Sequence, residues 1–421
     1  MNVLVDTRWR KLAWQRIIIY IACSIFLLHF FKSFSASSSS SVSLTTLPWY
    51  QQPHPGMPSF NQHVTVNLTQ HEREKLAQDM IAKASSLVSR AFPDIQTTIM
   101  GASLNQEQVQ QFRSLVECWT SSGKWVKMDD PVKVMPHFQD PLYAKCDRKY
   151  KGEGQRDAVR YVWQSTCEPI KNNMDHSVNR DRWCKVLNGR HILVVGDLVQ
   201  YQLHEIFLNT FRDGPTVCFG ELNCREHTLC NEPYQETHLK YLRNDRLSNN
   251  QHTNINQGYP KVDIIEMPFA KPSFGRGYPI FILNRSPVHE TDEEFIKGLI
   301  ETMKTIRKNN PNTLVIYRSS SIGHPFCDDA EGPIEGLTDS DYKVLPFGWS
   351  ETKRRNLIAK TIIEGAGGVY VDLGALTDLR PDGHVGGQDC LRYCIPGPLD
   401  SWMHILYQVF LALDGKIPLE K

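Results

Sequence analysis

The chain has 421 residues, with 47 lysines and arginines against 46 aspartates and glutamates, for a formal net charge of +1. That balance excludes bulk binding to nucleic acid, which needs a strongly basic face. The length suits one substantial folded domain preceded by smaller segments.

At the N-terminus, Arg8, Arg10, Lys11 and Arg16 precede an apolar run at 17–31, and Lys32 follows it. This charge bias predicts a cytosolic tail over 1–16, a transmembrane signal anchor over 17–31 and the rest of the chain across the membrane. A cleaved secretory signal peptide is the competing reading, because its apolar region has a similar length and small residues follow at 33–39. Both readings send the remainder into an oxidising compartment. Of eleven cysteines, Cys23 lies in the apolar run and the other ten fit several disulfides whose connectivity stays open. No CxxC pair is joined to a second one, so no metal site is expected.

Residues 32–104 read as a Ser-rich stem and helical spacer. The stretch 33–65 is too poor in apolar residues to fold alone. Over 71–92, Leu76, Ile81, Leu87 and Val88 recur at helical spacing, and a second helix is expected over 105–117. Asn67 opens the sequon Asn-Leu-Thr and is a candidate glycosylation site. Asn284-Arg285-Ser286 matches formally, but it follows a buried type of strand and is expected to stay unmodified. Residues 105–187 form a cysteine-rich lobe, irregular from Cys118 to Cys184, and a larger domain follows over 188–421.

In that domain, short β-branched runs alternate with longer helices. Strands are predicted at 191–195, 262–266, 280–284, 313–317 and 368–373, with helices near 199–209, 291–309, 350–364 and 400–413. Such alternation predicts an α/β fold, a mostly parallel sheet covered on both faces. Ligands of such sheets bind outside the C-terminal strand ends, which points to Gly196-Asp197-Leu198, Asn284, Arg318 and Asp372.

Three clusters carry chemistry. Gly196 and Asp197 supply a tight turn and a carboxylate that can cap the next helix, while Leu198 has no lone pair and cannot form an acyl-enzyme. After the 313–317 strand come Arg318, Ser319, Ser320, Ser321 and His324. These suit either substrate binding and loop bracing or a rewired nucleophile and base. The third cluster, residues 380–402, concentrates Arg380, Asp382, His384, Asp389 and Arg392 with glycines, prolines and two cysteines. It reads as a site rim, or alternatively as a surface loop that Cys390 and Cys394 pin to different parts of the domain.

The order VVGDLVQYQLHE (194–205), ILNRSPVHE (282–290), VIYRSSSIGHPFC (315–327) and RPDGHVGGQDCLRYCIPGPLDSW (380–402) resembles the trichome birefringence-like/PC-esterase family. The resemblance runs from about Cys118 to the C-terminus. It implies an SGNH-hydrolase-like three-layer α/β/α sandwich in a single-pass type II Golgi membrane protein. It also implies glycan or cell-wall polysaccharide as partner, and transfer or removal of acetyl groups, with no cofactor beyond an acetyl donor. The family's Gly-Asp-Ser falls on Gly196, Asp197 and Leu198, and its Asp-x-x-His on Asp389 and Arg392. The strand-end asparagine falls on Asn284, and an Arg-Asn pair on Tyr201 and Gln202. Arginine cannot shuttle a proton at ordinary pH, although it can clamp an anion. The expectation is therefore a catalytically degenerate protein that binds glycan or partners an active glycan-modifying enzyme. The alternative is an active O-acetyltransferase or acetylesterase with a relocated nucleophile and base.

Overall fold

The structure is a computed structural model that describes residues 68–129, 146, 156–168, 178–211, 220–222, 224–256, 261–325, 327–346, 348–387 and 389–415. All of them lie in one unit, Pro58–Lys421. Helix α1 (Gln70–Ala91) starts where the Thr69 hydroxyl and Glu72 form a capping box. Asn105 and Gln108 do the same for α2 (Gln106–Ser121). Strands β1 (Gly123–Lys127) and β2 (Tyr161–Ser165) form an antiparallel hairpin. Helix α3 (Arg180–Leu187) ends on Asn188, whose φ of 48° turns the chain out of the helix.

Strand β3 (Ile192–Gly196) leads directly into α4 (Leu198–Phe211). Next come β4 (His227–Cys230), β5 (Thr237–Arg243), the β6 (His252–Ile255) and β7 (Asp263–Glu266) hairpin, and a short α5 (Pro272–Gly277). Then follow β8 (Ile280–Leu283), α6 (Asp292–Asn309), β9 (Leu314–Arg318), α7 (Asp339–Val344), α8 (Thr352–Gly365), β10 (Val369–Val371) and α9 (Leu373–Thr377). The β11 (His384–Gly386) and β12 (Asp389–Tyr393) hairpin and α10 (Asp400–Leu413) complete the order.

The main sheet has the order β10-β9-β8-β3-β5-β4. Every neighbouring pair is parallel except β4 with β5. Alternate strand residues face opposite cores, as the two-residue strand repeat requires. Ile192, Val194, Tyr241, Ile282 and Ile316 pack with α2, α3, α4 and α10. Leu193, Val195, Phe281, Leu283, Val315 and Tyr317 pack with α1, α6 and α8. Helices on both faces of a mixed, mostly parallel sheet give the α/β arrangement expected from the pattern.

Three expectations change. First, among the described residues no helix is long and apolar enough to cross a membrane, and residues 17–31, on which the anchor rested, lie outside the described residues. Neither the transmembrane anchor, nor the membrane attachment and Golgi location that followed from it, is carried further. Second, the 262–266 run is a strand but not a member of the main sheet. As β7 it pairs with β6, and the position beside β3 belongs to β5. Third, the cysteine-rich lobe contains the β1–β2 hairpin, tied to α2 by Cys118–Cys167.

The other described disulfides are Cys146–Cys394, Cys184–Cys230 and Cys327–Cys390. Cys390 and Cys394 thus do pin the last hairpin to separate places, Cys327 after β9 and Cys146 of the lobe. Asn67 lies outside the described residues. Asn284 is fully buried, which agrees with its being unmodified.

Candidate functional site

The β3–α4 turn sits where the parallel strands end. A Cβ on Gly196 would lie 2.9 Å from Gln200 and 3.0 Å from the Asn284 carbonyl, so the close approach of β3, α4 and β8 favours glycine. Asp197 is buried, and its Oδ1 accepts the Gln200 N–H at 2.9 Å, which caps α4. The same oxygen accepts from Arg318 Nη2 at 3.3 Å. Tyr241 donates its hydroxyl to the Asp197 carbonyl at 2.8 Å. Leu198 is half-buried and packs against the α4-side core.

Arg318 organises this end of the sheet. Its Nε donates to Gln200 Oε1 at 2.7 Å and its Nη1 to the Ser319 carbonyl at 2.8 Å. Its guanidinium lies 4.8 Å over the Trp402 ring, a cation–π contact. Burial pulls the Arg318 pKa down while Asp197 opposes the shift. Gln200 completes the brace by donating Nε2 to the Ile282 carbonyl at 3.0 Å. Arg318 is thus fully engaged inside the protein rather than aimed at a ligand.

Asn284 is retained, but its donors are occupied. Nδ2 gives hydrogen bonds to the Arg318 carbonyl at 3.3 Å and to Ser320 Oγ at 3.1 Å. No N–H of that side chain is left for an oxyanion.

Two of the serines are similarly held. Ser319 Oγ accepts the Gly374 N–H at 2.7 Å, and Ser320 Oγ donates to the Arg285 carbonyl. Asn356 holds both backbone groups of Ser320, each at 2.9 Å. Ser321 Oγ is buried and has no hydrogen-bond partner among the described residues.

His324 and His384 meet each other instead of a serine. His324 Nδ1 is 2.7 Å from His384 Nε2, and His324 Nε2 is 2.9 Å from the Asp378 carbonyl. His384 Nδ1 faces the Arg392 carbonyl at 3.2 Å, and its ring stacks on Tyr393 with centroids 4.2 Å apart. Burial holds both imidazoles below their usual range, and His324 adds to the depression at His384. All four ring nitrogens face one another or a backbone carbonyl. No hydrogen bond joins Ser319, Ser320 or Ser321 to either histidine among the described residues, so the structure does not assemble the rewired Ser–His pair.

At the last hairpin, Asp389 Oδ2 accepts from Arg392 Nε at 2.5 Å, and its Oδ1 accepts the Arg392 N–H at 3.0 Å. Their side chains are 20% and 34% exposed. Arg380 and Asp382 make a bidentate pair, both contacts 2.7 Å. Arg380 also donates to the Ala158 carbonyl at 2.7 Å and lies 4.4 Å over Trp125. That cluster docks the cysteine-rich lobe on the C-terminal loop and is structural.

Two glutamines organise the site in ways the sequence did not indicate. Gln202 accepts the Tyr393 N–H at 3.0 Å and donates to its carbonyl at 2.6 Å, clamping β12 onto α4. Gln200 is one residue before Tyr201 and Gln202, where the family's donor pair falls in altered form, and only its three-residue offset from Asp197 hinted at a role.

Beside the turn, Arg243 reaches Asp245 Oδ1 at 2.6 Å and Glu221 at 2.7 Å. Burial lifts the Asp245 carboxyl to about 6, against the pull of Arg243. His204, Cys224 and His227 place potential ligand atoms within 4.8 Å of one another, but Cys224 is disulfide-bonded. Its sulfur therefore offers no thiolate to a metal.

No family model matches the chain. The chain is 22% identical over 361 residues to protein trichome birefringence-like 1 of Arabidopsis thaliana, covering 72% of this chain and 63% of that protein. It is 23% identical over 377 residues to protein trichome birefringence of the same plant, covering 74% and 59%. A shorter match, 28% identical over 108 residues, is to trichome birefringence-like 25. These low-identity matches support a family-level relationship. The chain spans less than two thirds of the length of these relatives.

Proposed function

We propose that this chain is a glycan-associated protein related to the carbohydrate O-acetyltransferases and esterases, and that it binds glycan or an active partner enzyme without transferring acyl groups. The observation that carries this reading is the residue at the β3–α4 turn. Leu198 occupies the position from which a serine would attack, while the frame of Asp197, Gln200, Arg318 and Asn284 around it is intact. Arg392 replaces the proton shuttle and is ion-paired with Asp389. A serine mechanism needs an acyl acceptor and a base that exchanges its proton near neutral pH. Neither motif position supplies one.

The test is made on the purified full chain with acetylated and unacetylated polysaccharides and an acetyl donor. Retention on a polysaccharide without acetate release or acetyl transfer is the expected result. The Leu198→Ser/Arg392→His variant should gain a slow aryl-acetate esterase activity. Multiple-turnover deacetylation or transfer by the wild-type protein, abolished by a point substitution elsewhere at the strand ends, overturns the proposal.

A further inference from the structure

We propose that His324 and His384 form one proton-binding site of limited capacity, and that acid releases the segment around β11 and β12 from the end of the sheet. The argument begins with counting protons. The two outer ring nitrogens face the carbonyls of Asp378 and Arg392, and a carbonyl only accepts, so each outer nitrogen must carry hydrogen. The inner nitrogens are 2.7 Å apart, a contact that is a hydrogen bond only when one of the two is protonated.

All three bonds therefore form when the rings together hold one proton more than two neutral imidazoles. With that proton gone, one bond is lost. With a second proton added, two N–H groups point at each other across the short contact. The closed arrangement thus accepts at most one of the two protons that the free rings would bind. Burial, which disfavours any charge here, acts in the same direction.

The surroundings do not remove this limit. Asp382 and Asp341 favour a charge on His324, but Asp382 is itself paired with Arg380. Burial keeps the Asp378 carboxyl well above its usual range, where it accepts the Ile322 N–H. On the hairpin, Arg392 is paired with Asp389. Asp328 accepts the Gly387 N–H, and burial pushes the Tyr393 phenol well above its usual value.

The sign follows from linkage. An opened segment exposes two imidazoles of ordinary pKa, about 6.5. Below that pH the open state binds two protons and the closed state one or none. Opening is therefore promoted by one to two protons, a rise of about 10- to 100-fold per pH unit once the free rings are protonated. The Cys327–Cys390 and Cys146–Cys394 disulfides hold this segment within and just after β12, so release is a local loosening with the hairpin still tethered.

Amide hydrogen exchange of residues 384–392 in the full chain, corrected for intrinsic exchange, measures the opening between pH 5.5 and 4.5. The expected rise is at least about tenfold across that unit, and it disappears in His324→Gln/His384→Asn, whose amides donate to the same carbonyls without titrating. Nitrogen-15 spectra of the wild-type imidazoles provide a readout independent of the variant, and should show no more than one shared proton in the closed state. An opening that does not change with pH, or two fully protonated rings in the closed segment, overturns the proposal.

Discussion

Replacing Arg318 with methionine removes a charge from the interior while keeping most of the side chain's volume. The lost contacts are those with Gln200 at 2.7 Å, the Ser319 carbonyl at 2.8 Å, Asp197 at 3.3 Å and the face of Trp402 at 4.8 Å. The dominant cost is the partner left behind. Asp197 is only 6% exposed, and stranding one member of a buried ion pair typically costs about 3–5 kcal/mol. A unit of roughly 360 residues has an unfolding entropy of about 0.75 kcal/mol/K, so melting should fall by about 4–7 °C.

Calorimetry and urea unfolding of the wild-type, Arg318→Met, Asp197→Asn and double variants form a cycle. Removing both charges avoids the stranded carboxylate, so the double variant should be more stable than additivity predicts, by about 1–3 kcal/mol. A loss below about 1 kcal/mol in Arg318→Met, or strict additivity, would refute the claim that this pair frames the turn.

Other outcomes follow from the same geometry. Gln202→Ala leaves the buried N–H and carbonyl of Tyr393 without their clamp, and urea unfolding should register a loss of about 2–3 kcal/mol. His204 is held neutral by burial, its pKa lowered to about 3. The unfolded chain therefore takes up a proton at this residue that the folded chain refuses. Its contribution to stability is intact above about pH 6.5 and falls by about 1.4 kcal/mol per pH unit between there and about pH 3. A His204→Gln variant should lose that part of the acid slope in unfolding midpoints measured from pH 7 to 4. Opening the Cys327–Cys390 loop, whose ends are 63 residues apart, with a Cys327→Ala/Cys390→Ala variant should cost about 4 kcal/mol on the chain-entropy account, read by denaturant titration.

The parts of the fold that could be read from the sequence are those buried on both sides. Residues 192–196, 280–283 and 314–318 have no solvent face, so their continuous apolar runs announce central parallel strands. Strand β5 escaped because only one of its faces is sealed. Thr237, Leu239, Tyr241 and Arg243 are buried, while His238, Lys240 and Leu242 are half-buried between them. Conversely, 262–266 reads as a main-sheet strand because Val262, Ile264 and Ile265 make a β-branched run, yet β7 lies beside the chain just beyond β5, with Asn244 bridging to Glu266. The candidate site divides in the same way. Its motif residues were visible as strand-end clusters, but the meeting of His324 with His384, 60 residues apart, is a tertiary fact that no local spacing encodes.

Gly196, Asp197 and Asn284 each have a task within the fold. Gly196 permits three elements to approach, Asp197 caps α4 and balances Arg318, and Asn284 ties β8 to the chain after β9. Replacing any of them disturbs buried, hydrogen-bonded structure, for which the cost is measured in stability. Leu198 and Arg392 stand instead at half-buried positions, where a new side chain displaces little of the frame. The presence of Asp197 and Asn284 is therefore no argument for catalysis, because Asp197 Oδ1 and both N–H groups of Asn284 Nδ2 are already committed to holding the fold together.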